Sequence, residues 1–113
     1  MPQTLLVLPA GMAARLPGLL ATAGIYLARD RATDQYRQLT CERQRGRVTV
    51  VFMTSPEWAR RLDATIPPDA VLVGVQRSSM RFWRRDDDRE LLDRVVRLLE
   101  PYAVSEPMRL GDP

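Results

Sequence analysis

The sequence predicts an α+β fold: a single antiparallel or mixed sheet of four to five strands covered by about three helices. Three observations lead there. Short apolar runs at 4–8, 48–53 and 71–75 have the length and side-chain shape of buried strands. Segments 11–23, 56–66 and 87–101 instead carry apolar residues at helical spacing. These elements alternate along 113 residues, 45% of them apolar, which is enough for one core and one domain. The domain covers 1–102. Pro107, Gly111 and Pro113 mark 103–113 as an irregular C-terminal tail.

Each element has a local cause. Pro9 stops the first strand, and Leu16, Leu19, Leu20 and Ala23 recur at helical spacing. Pro17 starts or breaks that helix, because it lacks an N–H and its ring crowds the preceding turn. Gly24 ends it and releases 25–28 as a second strand. Residues 30–46 fit either a helix, through Ala32, Tyr36 and Leu39, or a hairpin pairing 36–42 with 48–53. The hairpin is favoured because Gly46 sits where a turn needs a permissive residue. The run 48–53 is β-branched and almost wholly apolar, so it belongs in the middle of the sheet.

Ser55, Pro56 and Glu57 form a helix start: a hydroxyl cap, a proline whose missing N–H costs nothing there, and an acid on the positive end of the dipole. In the last helix Leu91, Val95 and Leu98 make one row, and Leu92, Val96 and Leu99 the next. Together they form a stripe wide enough to pack on a sheet. Tyr26, Tyr36 and Tyr102 fall at core positions.

The residues missing from the chain exclude much chemistry. It has no His, Lys or Asn, and all 17 cations are Arg. Without His there is no Ser-His or Cys-His nucleophile and no His-ligated metal. Without Lys there is no Schiff base and no phosphate-binding Walker lysine. The single Cys41 has no His to act as its base, and it cannot form an internal disulfide. Asp86, Asp87, Asp88 and Glu90 could attract a hard cation, but they lack the glycine and long loop of a calcium-binding hand. A helix macrodipole already accounts for acids in a first turn. No catalytic residue, metal site or cofactor is expected. Arg15 and Arg29 interrupt the apolar N-terminal third, so no membrane span is expected, and residues 1–14 lack the basic start of a signal peptide. The expectation is a small cytoplasmic protein whose codon-driven composition is bacterial.

Charge is uneven. Residues 70–85 hold four Arg and no acid, whereas 86–113 hold four Arg and eight acids. If 79–85 are extended, Arg81, Trp83 and Arg85 share one face, joined by Arg77 if the strand reaches back to it. Such a face suits a stacked base with its phosphates, or an interface anchor. Trp83 could equally pack against the protein, with the arginines pairing with the adjacent acids. Arg43, Arg45 and Arg47 form a second basic group at a hairpin tip. These seven residues are the candidate partner- or anion-binding set. The expected function is a small non-catalytic protein-binding module of the adaptor, inhibitor or immunity type. The alternative is an RNA- or single-stranded-DNA-binding module using the same face. A homodimer through the apolar N-terminal helix is a third possibility.

Overall fold

The computed structural model describes residues 3–77 and 82–110. Six strands, β1 (Gln3–Pro9), β2 (Tyr26–Ala32), β3 (Tyr36–Arg43), β4 (Gly46–Met53), β5 (Ala70–Arg77) and β6 (Met108–Leu110), form one sheet in the order β2-β3-β4-β5-β1-β6. All neighbours are antiparallel. Four α-helices accompany it: α1 (Ala10–Ala13), α2 (Leu16–Thr22), α3 (Pro56–Leu62) and α4 (Arg85–Leu99). The α+β class is as expected, but the sheet is larger than four to five strands. The additional strand is β6, which pairs with β1 from within the segment expected to be irregular. Three residues are too few to show a periodicity. The fourth helix arises because the N-terminal helix is split ahead of Pro17, which takes a first-turn position of α2.

Residues 30–46 resolve as strand and hairpin. β3 and β4 pair from Tyr36↔Met53 to Arg43↔Gly46, leaving Gln44 and Arg45 as a two-residue turn. Gln44 carries the positive φ of that turn, 57°, so the permissive conformation is not Gly46's. Gly46 serves close packing instead. A Cβ placed there would lie 2.5 Å from the Asp87 carbonyl oxygen and 3.0 Å from Leu91 Cβ. The hairpin tip and the first turns of α4 therefore touch backbone to backbone.

Strand alternation sorts the sheet into two faces, because cross-strand partners share a side. Leu6, Leu8, Leu39, Cys41, Val48, Val50, Phe52, Val71, Val73 and Val75 lie on one face and are buried. α4 covers that face over β4 and β5, presenting Leu91, Leu92, Val95, Val96 and Leu99, all buried. Leu16 and Leu20 of α2 join the same core. Each such side chain contributes roughly 1.5–3 kcal/mol by leaving water. Leu98, expected among the core contacts, is only partly buried, so the stripe is centred one row over.

The opposite face carries Leu5, Val7, Leu72, Val51, Gln38, Thr40, Arg47 and Gln76, all half-buried or exposed. Thr49 and Gly74 in its centre, and Met53 and Ala70 at the end where α3 links β4 to β5, are its buried exceptions. α3 begins as expected, with the Ser55 hydroxyl accepting the Glu57 N–H at 3.3 Å and Pro56 in the first turn.

The tight contact at Gly46 can be tested. Gly46→Ala should destabilise the protein by about 1–3 kcal/mol, because the obstructing atom is backbone and cannot step aside. Gly18→Ala, inside α2 with open space around the new methyl, should instead stabilise by about 0.5–1 kcal/mol. Urea titration of the two variants beside the parent checks both signs.

Candidate functional site

Residues 82–85 are not the extended strand considered for 79–85. β5 ends at Arg77, Phe82–Arg84 make a 3₁₀ turn, and Arg85 opens α4. Arg81 and residues 78–80 lie outside the described residues. Alternating Arg and aromatic residues satisfy a helix start as readily as a strand, and the following acids favour the helix through its dipole.

The centre of this corner is Asp88, in the first turn of α4 and completely buried. Its Oδ1 accepts the backbone N–H of Arg47 at 2.9 Å. Its Oδ2 lies 3.9 Å from Nη2 of Arg77, whose side chain is only 11% exposed. A buried carboxylate is tolerable only with such partners. Val48 pairs with Arg77 across β4 and β5, so the start of one strand and the end of the next converge on the same acid. Arg77 is thus an internal counter-ion, and its guanidinium is not displayed to a ligand.

Beside this joint, Arg43 and Arg45 line a cleft against α4, while Trp83 and Arg85 sit just before and at the start of that helix. Arg43, Gln44, Arg45 and Gly46 face Asp87, Glu90, Leu91 and Arg94 across a narrow cleft. Arg84 Nη1 lies 3.9 Å from Asp87 Oδ2. The cations of the corner therefore stand among acids. Trp83 remains 68% exposed on its short turn, with Arg85 exposed beside it. Arg47 leaves the group: its side chain emerges on the opposite face of the sheet and pairs with Glu42 at 3.1 Å.

Two features escaped sequence reasoning. Asp88 looks like its neighbours Asp86 and Asp87 in the sequence, and only the approach of the hairpin singles it out. The tyrosines were misplaced: Tyr26 is 67%, Tyr36 45% and Tyr102 40% exposed. A signal for Tyr36 existed, since Leu39 and Cys41 mark the odd positions of β3 as core-facing and leave Tyr36 on the polar side.

Cys41 lies wholly in the core, and burial pushes its thiol up to about 12. Among the described residues no group of three or more metal-ligating side chains is placed to hold an ion, and no helix is long and apolar enough to cross a membrane. No family model matches the chain, and no curated protein matches it either.

Asp88→Ala removes the acceptor for Arg47 N–H and strands the Arg77 charge, so it should cost roughly 3–5 kcal/mol. Asp88→Asn keeps an acceptor and should cost less. Equilibrium unfolding of both variants checks this, and a loss below about 1 kcal/mol for the alanine would refute the role assigned to Asp88.

For Cys41, native protein at pH 8.5 should resist iodoacetamide and react only in denaturant. The fold favours the neutral thiol, so that contribution is intact below the ordinary thiol range near 9.0. It is lost as pH rises towards about 12.

Proposed function

We propose that the protein is a non-catalytic binding module that grips another protein at the corner where the 3₁₀ turn meets α4. The observation that carries this is the exposure of Trp83 on the turn that leads directly into a fifteen-residue helix. A large exposed aromatic ring flanked in the chain by Arg84 and Arg85, on the turn that leads into α4, has the composition of an interface anchor with a polar rim. The interleaved acids Asp87 and Glu90 argue for a protein partner over phosphates at this place, because they would repel a polyanion. A non-catalytic role agrees with a chain that has no His or Lys and whose one thiol is buried and protonated. The compartment we assign is the cytoplasm, on the strength of the sequence alone.

A partner bound this way should lose at least about 2 kcal/mol, or some thirtyfold in affinity, on Trp83→Ala with the fold intact. Its dissociation constant should change little with salt, since a desolvated ring dominates. Calorimetric titration of the recovered partner at two ionic strengths checks both. Undiminished binding by the Trp83 variant would overturn the proposal. A second reading, nucleic-acid binding, is favoured by a different surface, the outer strands of the sheet on the face opposite α4.

A further inference from the structure

On the open face the two outer strands β2 and β3 carry an arrangement unlike the corner. Tyr26 pairs with Glu42 and, through β3, with Arg47; these three begin the track. After a shift in register between Leu27 and Arg29, Arg29 stands opposite Thr40 and Arg31 opposite Gln38. Tyr36 ends the track on the same face, since it shares the parity of Gln38, Thr40 and Glu42. Arg29 and Arg31 are two residues apart on a strand, hence about 7 Å, and the two tyrosines bracket them over about 20 Å.

Charge on this face is unbalanced. The Arg29 and Arg31 side chains are exposed and form no ion pair or hydrogen bond among the described residues. The one acid of the track, Glu42, is held by Arg47. Asp30, between the two arginines in sequence, points to the other face. There the Arg37 guanidinium grips it at 2.6 and 2.9 Å, which lowers its pKa by hydrogen bonding and charge. The alternation thus removes the acid and leaves the cations.

We propose that this face binds single-stranded nucleic acid, with Arg29 and Arg31 on successive phosphates and Tyr26 and Tyr36 stacking unpaired bases. Exposed tyrosines bracketing uncompensated guanidiniums are what a single strand requires: π-faces for its bases and cations along its backbone. Gln38 and Thr40, between the tyrosines, offer hydrogen bonds to base edges. A duplex hides its base faces and gains nothing from the tyrosines. A protein interface would want an apolar centre, whereas β2 and β3 carry none on this face between the two tyrosines; Val51 and Met53 of β4, Leu72 of β5 and Leu5 and Val7 of β1 lie to one side of them.

The test is fluorescence anisotropy with labelled 12-nucleotide RNA and DNA single strands, a 12-base-pair duplex and a 12-residue polyglutamate peptide. Single strands should bind, and affinity should fall steeply with salt. Arg29→Ala with Arg31→Ala should weaken binding at least tenfold and reduce the log–log salt slope by about 1.4, near 0.7 for each lost contact. Tyr26→Ala and Tyr36→Ala should each weaken binding at least fivefold, with melting temperatures close to the parent's. Arg97→Ala with Arg109→Ala removes the same charge from elsewhere and should change affinity less than twofold. RNA bound more tightly than DNA would assign recognition to the 2′-hydroxyl; equal binding would assign it to phosphate and base stacking. Absence of binding at low salt, equal loss in the two double-arginine variants, or equal binding of duplex or polyglutamate would overturn the proposal. None of these results depends on Trp83, so this proposal and the corner proposal fail separately.

Discussion

A single buried carboxylate organises this fold. Asp88 is fully removed from water, and a charge in that position is stable only if the surrounding chain supplies donors and a counter-charge. The donor is the Arg47 N–H at the start of β4, and the counter-charge is the guanidinium of Arg77 at the end of β5. To reach them α4 must begin directly over the hairpin tip, closer than a side chain at position 46 would permit. The glycine, the arginine and the aspartate are therefore one device. The apolar stripe of α4 supplies most of the energy of packing, but a stripe alone would tolerate sliding along the sheet. The Asp88 contacts set where along the sheet the helix starts.

The same device explains why a count of cations misleads here. Arg77 belongs to the most basic stretch of the chain and yet is spent inside the molecule. Arg84 and the hairpin arginines stand among the acids of α4, and Arg47 is matched to Glu42. What is left at the corner is an exposed aromatic ring in a field of mixed sign. Such a surface discriminates by shape and by desolvation of the ring, with charge setting orientation more than strength.

Much of the architecture was legible because it rests on patterns with a fixed period. The runs at 48–53 and 71–75, the doubled row in the last helix and the Ser55-Pro56 start each impose one local geometry, and each forms. β6 was not legible, since a three-residue strand acquires its identity only from β1 beside it. The stretch through Trp83 was misread because alternating large and basic residues fit a strand, while the determinant of its helical turn is the aspartates that follow. Asp88 could not be separated from Asp86 and Asp87 by sequence, for its distinction is a contact with a residue 41 positions earlier. The tyrosines were misjudged by treating aromatic residues as core without asking which parity of the strand they occupied.

That parity carries the functional argument furthest. A six-stranded antiparallel sheet with α4 packed on one side must make the other side compatible with water or with a partner. This chain does so unevenly. The far strands keep half-buried Leu and Val. The outer strands β2 and β3 place Tyr, Arg, Gln and Thr outward and turn Asp30 inward onto Arg37. An edge strand needs only some charge to discourage pairing with another sheet, and Asp30 facing either way would serve. Removing Asp30 from the open face while leaving both neighbouring cations there, with Glu42 already paired to Arg47, leaves a net positive field between two tyrosine rings. Edge protection does not require that field. Recognition of a flexible polyanion does, and it needs no catalytic group, which fits a chain whose ionisable side chains are almost all arginine and carboxylate.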